Sequence, residues 1–231
     1  MAKPEAGLEG IEIFAGLTPA ELDALAKRCV WREFAPKQQI VGHQDESHQV
    51  FFLVRGKARA VIRSLSGREV TFRDIPAGEM FGEFAAIDGG PRSATVEALQ
   101  RCLAASMSPE LFWDVLLTHP KAAAAMLKRL TRQIRALSER VFEFSTLAVR
   151  NRIHAELVRL GSECVQPDGS ARLSPPPTHA EIASRISTHR EAVTRELNEL
   201  AQAGLIERRR GALVIRDLAR LRRMVDRVIE G

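Results

Sequence analysis

Two stretches of this 231-residue chain carry polar groups at spacings that suit a bound anion. The first runs Gly78-Glu-Met-Phe-Gly-Glu83 into Pro91-Arg-Ser-Ala-Thr-Val96. A short segment starting after Gly82 leaves backbone N–H groups unpaired, which makes a cradle for an anion. Arg92 adds a planar cationic fork that matches phosphate, and Ser93 adds a hydroxyl donor. Glu83, when ionised, has only acceptors and takes a hydrogen bond from a sugar hydroxyl. Donors for phosphate beside an acceptor for ribose describe a nucleotide pocket. The same residues also fit a plain turn closed by a structural salt bridge, and spacing alone leaves both readings open.

The second stretch is Thr178 to Arg195. Thr178-His-Ala-Glu181 and Thr188-His-Arg-Glu191 each have the form of a capping box, ten residues apart. Ile182, Ala183 and Ile186 give one short apolar face, and Val193, Leu197 and Leu200 give another. Two short helices joined by a tight turn, the second charged at its start, predict a helix-turn-helix. A second helix lying in a major groove meets the bases with its first turns. Arg190 and Arg195 are then placed to pair with guanine O6 and N7, and Glu191 to accept from cytosine N4. Thr178 and His189, at the starts of the two helices, complete the set expected at DNA. Read without their context, Glu191 only caps its helix and both arginines are solvated.

These groups need scaffolds. From about Gln38 to Ser108, short apolar runs (Val50–Val54, Ala58–Ile62, Val70–Phe72, Ala94–Val96, Leu103–Met107) alternate with Gly56, Gly67 and Gly78. That pattern predicts a β-sandwich or barrel. Ahead of it, Thr18-Pro-Ala-Glu21 opens a helix containing Leu22 and Leu25. From Pro120 to Phe144 there is no glycine, and Leu127, Leu130, Ile134, Leu137, Val141 and Phe144 follow 3-4 spacing. Such a stripe, flanked by Lys128, Arg129, Arg132, Arg135 and Glu139, predicts a two-stranded coil and hence a homodimer axis; a helix packed on its own domain is the alternative. Beyond it, Arg150–Leu160 reads as a helix, Gly161–Pro177 as a loop-rich connection, Leu205–Ile215 as a β-hairpin wing turning at Arg209–Gly211, and the segment from Asp217 as a basic helix.

Composition narrows the classes. No apolar run approaches the ~20 residues that span a bilayer, so no membrane role is expected, and the first seven residues hold no apolar signal core. Cys29, Cys102 and Cys164 are far apart and form no paired motif, which fits a reduced cytoplasm. His43 and His48 are the only histidines in the β region, too few for a jelly-roll metalloenzyme, so no metal and no catalytic residue is expected. The chain carries a net charge of +5, and residues 146–231 hold 15 Lys and Arg against 11 Asp and Glu. A basic C-terminal third suggests a polyanionic partner.

The order of β-domain, long helix and winged helix-turn-helix resembles the Crp/Fnr family of bacterial transcription regulators. Phe81-Gly-Glu-Phe-Ala-Ala-Ile-Asp-Gly-Gly-Pro-Arg-Ser-Ala-Thr-Val96 is similar to the phosphate-binding cassette of cyclic-nucleotide domains. The resemblance implies an α+β protein with three parts: a β-jelly-roll cyclic-nucleotide-binding domain (1–118), a dimerisation helix (119–147) and a winged helix-turn-helix DNA-binding domain (148–231). It implies that Glu83 holds the ribose 2′-hydroxyl, that Gly82, Phe84 and Ala85 offer backbone contacts, that Arg92 and Ser93 hold the cyclic phosphate, and that Arg73 lies beside the base. An ungapped match places Leu137 and Ser138 where cyclic-AMP receptors of the family often carry a Thr-Ser pair touching the base; Ser138 keeps a hydroxyl and Leu137 does not, which leaves cyclic AMP and cyclic GMP both open as the allosteric ligand. Arg190-Glu-Ala-Val-Thr-Arg195 is similar to members that read TGTGA-type half-sites in double-stranded DNA, and RNA polymerase is the implied protein partner. Residues 1–28 hold no cysteine, against an iron–sulfur sensor. A family member that needs no ligand, or senses another signal, is the alternative.

Overall fold

In the computed structural model, which describes residues 7–64 and 69–229, Thr18 opens α1 (Pro19–Arg28) with the expected capping box. Its side chain accepts from the Glu21 N–H, and the Glu21 carboxylate accepts from the Thr18 N–H at 2.7 Å. Gly67, expected as a turn, lies outside the described residues.

Eight strands follow: β1 (Val30–Phe34), β2 (Gln39–Val41), β3 (Val50–Arg55), β4 (Lys57–Arg63), β5 (Glu69–Pro76), β6 (Met80–Phe81), β7 (Thr95–Ala98) and β8 (Cys102–Met107). They form two antiparallel sheets, ordered β1-β8-β3-β6 and β2-β7-β4-β5. The nested pairs β1·β8, β2·β7, β3·β6 and β4·β5 are those of a long hairpin folded over itself, the jelly-roll arrangement. The two inner faces share a core that includes Phe34, Phe51, Leu53, Ile75, Phe81 and Val96. Within it the Phe51 and Phe81 rings stack 5.1 Å apart. A second core lies where α1, α3 (Pro109–Thr118) and the start of α4 (Pro120–Thr146) cover the other face, around Phe14, Phe52, Phe112 and Met126.

The chain divides into two compact units, Met1–Ile134 and Arg135–Gly231, and α4 runs from one into the other. In the first unit α4 buries Ala122, Met126 and Arg129. Most of the 3-4 stripe is on the outside: Leu127 is 66% exposed, Ile134 64%, Leu137 50% and Val141 65%, whereas Leu130 is half-buried against the core of the first unit. Packing on its own domain accounts for Leu130 and leaves the four others exposed.

The second unit contains α5 (Val149–Ser162), β9 (Ala171–Leu173), α6 (His179–Arg185), α7 (Arg190–Gln202), the β10 (Ile206–Arg209) and β11 (Ala212–Ile215) hairpin, and α8 (Leu218–Ile229). The segment read as a loop instead holds a third strand, since β9 pairs with β11 and extends the wing sheet to β10-β11-β9. Fully buried Glu156 of α5 gathers Arg140 of α4, Arg159 of α5 and Arg185 of α6, fixing the end of the long helix to the first helix of the helix-turn-helix. Among the described residues, no helix is long and apolar enough to cross a membrane, and no group of three or more His, Cys, Asp or Glu could hold a metal ion.

Candidate functional site

Gly82 closes β6 with a left-handed φ of 83° and caps α2 (Glu83–Asp88). A Cβ at Gly82 would stand 2.5 Å from Arg92 Nη1 and 2.9 Å from the Gln49 carbonyl oxygen. Glycine is needed here for both backbone angle and space. The space is filled by Arg92, which is 2% exposed. Its Nη1 donates to the Gly82 carbonyl at 3.0 Å, Nη2 to the Gln49 carbonyl at 2.8 Å and Nε to Ser47 Oγ at 3.0 Å. Three of a guanidinium's five N–H groups are thus used, and two are left over for an anion. Cζ also stands 5.7 Å from the centre of the Phe51 ring. Burial lowers the Arg92 pKa, opposed by the charges of Asp45 and Glu83. No internal carboxylate holds this guanidinium by a hydrogen bond among the described residues, so it is oriented by carbonyls and a hydroxyl without being neutralised.

Glu83 opens α2 and is 3% exposed. Its Oε1 accepts a long hydrogen bond, 3.4 Å, from Gln133 Nε2 of α4 and lies 4.0 Å from Arg129 Nε. Ala85 is buried, whereas Phe84 and Ser93 are exposed. Arg73, expected beside a base, donates to Glu79 Oε2 at 3.1 Å and to the Met80 carbonyl at 2.8 Å. Arg129 donates to the same two groups. Burial by itself would raise the Glu79 pKa, but Arg129 and Arg73 together hold it below the usual carboxylate value. Burial and the neighbouring Arg129 lower that of Arg73. Ser138 is exposed on the part of α4 that belongs to the second unit.

Sequence reasoning missed Arg129 and Gln133. Arg129 reads as a charged flank of the stripe, yet it is 5% exposed and turned inward. A buried arginine leaves no periodic signature. Its partner Glu79 is 50 residues away.

In the second unit, Thr178 forms its capping box with Glu181: its N–H donates to Oε2 at 2.7 Å, and its Oγ1 accepts from the Glu181 N–H at 3.1 Å. The second expected box does not form. The N-cap of α7 is His189, which makes no side-chain cap, so Arg190 and Glu191 occupy the first two helical positions. Thr188 lies one residue too early, and its N–H is held by the Ala183 carbonyl. Glu191 is thereby released from capping. Arg190, Glu191, Thr194, Arg195 and Asn198 line an open groove along α7. Arg190 and Glu191 are about three-quarters exposed and 3.9 Å apart, and Arg195 and His189 are exposed as well. Val193, Leu197 and Leu200 point the other way into the core with Ile182 and Ile186.

His179, the first residue of α6, was not singled out in the sequence; its Nδ1 lies 2.6 Å from Thr194 Oγ1. Burial, and then the charges of Arg208 and Arg190, lower its pKa. On the wing, Arg208 donates to Asn198 Oδ1 of α7 at 3.1 Å, while Arg209 and Arg216 both pair with Glu207.

Residues 31–119 match the cyclic nucleotide-binding domain family, and residues 151–224 match the Crp-like helix-turn-helix domain family. The cyclic AMP receptor protein of Thermus thermophilus is 29% identical over 215 residues, 93% of this chain and 96% of that protein. A CRP-like cAMP-activated global transcriptional regulator of Mycobacterium tuberculosis is 25% identical over 212 residues, 91% and 95% of the two chains. Among solved structures, a CooA mutant from Carboxydothermus hydrogenoformans matches with a TM-score of 0.76 at 21% identity, covering 88% of this chain and 90% of that one. The c-di-GMP responsive global regulator CLP of Xanthomonas campestris matches at 0.73 and 18% identity, covering 86% and 99%. Those two structural likenesses speak for the fold alone. Two domain families in this order, with relatives aligned along nearly the whole chain, show that the protein belongs to the Crp/Fnr family, whose members are DNA-binding transcription regulators and not enzymes.

Proposed function

We propose that the protein is a homodimer whose operator binding is gated by cyclic AMP or cyclic GMP. The observation that carries this reading is Arg92: a buried guanidinium fixed by three internal acceptors, with two N–H groups to spare, in the unit that also holds Glu83. A cyclic phosphate supplies the anion such a fork pairs with, Ser93 adds a hydroxyl beside it, and the ribose hydroxyl meets Glu83. Backbone groups of Gly82, Phe84 and Ala85 border the phosphate, and Ser138 is the candidate for contact with the base. Arg73 is already engaged by Glu79 and Met80, so it acts as a wall of the pocket.

The dimer reading is supported by the exposed stripe of α4. Leu127, Ile134, Leu137 and Val141 recur at coiled-coil spacing and are each at least half exposed. In such a dimer the two α7 helices would meet successive major grooves about 34 Å apart. Arg190, Glu191 and Arg195 would read TGTGA-like half-sites while Thr178 and His189 lie near the backbone. Gating requires that ligand bind the DNA-competent arrangement more tightly than the other. A preference of about 5.5 kcal/mol would carry the balance from ~1:99 to ~99:1. Contact with RNA polymerase would follow at promoters.

Titration calorimetry with both cyclic nucleotides, on the wild type and on Arg92→Ala, tests the ligand; operator titration at fixed salt with and without nucleotide tests the gate. Binding heat lost in the variant and tighter operator binding with ligand are the expected results. Silence with both nucleotides overturns the reading and leaves a regulator that responds to something else or to nothing.

A further inference from the structure

Leu147 and Ala148 alone join α4 to α5, and Ala148 gives α5 no side-chain cap. A short joint without a cap has little of its own to hold an angle. Side chains supply what the backbone lacks. Arg140 Nη1 donates to Glu156 Oε2 at 3.4 Å, and its Nη2 donates to the main-chain carbonyl of Arg185, the last residue of α6. Arg159 Nη1 donates to the same Glu156 oxygen, while its Nη2 reaches back to Glu143 Oε1 of α4 at 2.6 Å. The Phe144 ring carries both the Arg140 and the Arg152 guanidinium, with Cζ 5.6 and 5.4 Å from its centre. Arg152 Nη1 also donates to the Leu147 carbonyl at 3.0 Å, inside the joint. Three arginines therefore tie the end of α4 to α5, and one of them goes on to the first helix of the helix-turn-helix. Every residue of this clasp belongs to the second unit.

We infer that Arg140 is a positioning residue for DNA binding: through it the end of α4 and the helix-turn-helix form one rigid body, and the corner between α4 and α5 is a fixed joint, not a hinge. Buried charge suits this role. An apolar contact can slide at little cost, whereas Glu156, whose side chain is wholly buried, is left desolvated and unpaired if the helices shift. Arg140 reaches the α6 carbonyl directly, 45 residues along the chain, so a turn of α4 moves α6 without passing first through α5. In turn α6 packs with α7 through Ile182, Ile186, Val193 and Leu197. For its effect on gating, the inference rests on the cyclic-nucleotide reading above: a ligand-driven change in α4 reaches the recognition helix through the clasp.

The test uses the full chain as wild type, Arg140→Met and Glu143→Gln. Arg140→Met keeps much of the packing and loses both hydrogen bonds. Glu143→Gln loosens only the tie to Arg159 and decides the matter if the first variant does not fold. Hydrogen exchange of the ligand-free protein reads the joint itself. The amides of Leu147 and Arg152, bonded to the Glu143 and Ala148 carbonyls, should be protected in the wild type. They should exchange at least about tenfold faster in Arg140→Met, and less so in Glu143→Gln, as local opening becomes easier. Operator titration with and without saturating cyclic AMP or cyclic GMP reads the gate. A wild-type gain of about 5- to 150-fold, the usual span of allosteric coupling, should fall several-fold toward one in the variants. Calorimetry should find nucleotide affinity without DNA nearly unchanged. Exchange that is equally fast in wild type and variants overturns the fixed joint. Operator binding weakened alike with and without nucleotide makes Arg140 a structural contact only, and overturns its positioning role while the cyclic-nucleotide reading stands. If no nucleotide binds the wild type, that reading falls, and exchange alone decides the joint.

Discussion

His154 Nε2 lies 2.5 Å from Glu196 Oε1, and both side chains are almost wholly buried. His154 belongs to α5 and Glu196 to the inner face of the recognition helix α7. Arg150 adds a second donor to the same carboxylate oxygen at 3.2 Å. The helix presented to DNA is thus anchored from behind by a polar contact beside the apolar cluster that Val193, Leu197 and Leu200 join. Removing one partner of a buried pair leaves the other desolvated and unpaired, which costs more than the pair contributes.

His154→Ala is accordingly expected to destabilise the protein by about 1–3 kcal/mol, the lower end reflecting the contact Arg150 still makes with Glu196. Replacing both partners with apolar residues, as in His154→Leu with Glu196→Met, should recover most of that loss. Denaturant melts of the two variants measure it. Equal destabilisation by the single and double variants would show that packing, and not the polar contact, is what His154 supplies.

Gly82→Ala places a methyl group 2.5 Å from Arg92 Nη1 on a backbone with φ of 83°. The left-handed angle alone costs about 1–2 kcal/mol, and the guanidinium has to leave the Gly82 carbonyl. Nucleotide affinity should fall at least about tenfold, by analogy with the loss of one charge-assisted hydrogen bond. Operator binding in the absence of ligand should change little, since α7 and the wing belong to the other unit. Calorimetry and a ligand-free operator titration check the two halves of this expectation.

Much of this arrangement is legible in the sequence, and the gaps have physical reasons. The apolar runs of β3, β4, β5, β7 and β8 stand out because both faces or alternate residues are buried. β1 is hidden because Val30, Arg32 and Glu33 of its five residues are exposed, and β6 has only two residues. β9 escapes for the same reason of length: Ala171-Arg-Leu173 is too short to show alternation. The Thr188 capping box matches the pattern, but local pattern cannot tell which of two adjacent residues will be the N-cap. In the nucleotide site, Glu83 and Arg92 announce themselves by their glycine and serine neighbours. Arg129 and Gln133 do not, because a helix with one apolar stripe outward and another inward gives the same periodicity for both.

Wing chemistry gives a pH and salt prediction. Hydrogen bonds from Arg209 and Arg216 push the Glu207 pKa down to about 2 from an ordinary 4.5. A folded-state value below the unfolded one stabilises the wing at pH above about 4.5 and loses that contribution as pH falls toward 2. Glu207→Gln should therefore remove this acid-range contribution to stability. At neutral pH it should also uncover two arginines, strengthen binding to all DNA sequences alike and steepen the salt slope by up to about 2, near 0.9 for each phosphate newly contacted. An unchanged slope would mean that neither arginine reaches phosphate.

Arg195 and Arg208 should separate two kinds of DNA contact. Arg195 is exposed on the groove face of α7, with no partner assigned to it among the described residues, and stands five residues beyond Arg190 at the helix start. Its truncation to Ala should cost about 1–3 kcal/mol against the preferred base pair and nearly nothing against the other pairs, so preference relaxes at one position of each half-site. Arg208 is turned toward α7 by Asn198, where its fork suits a backbone phosphate beside the groove. Arg208→Ala should weaken every sequence by a similar factor and flatten the salt slope by about 1. A selection experiment on randomised half-sites, run at two salt concentrations with both variants, reads the two signatures together. If Arg195→Ala weakens all sequences equally, α7 is not reading bases through that residue, and direct readout falls to Arg190 and Glu191 alone.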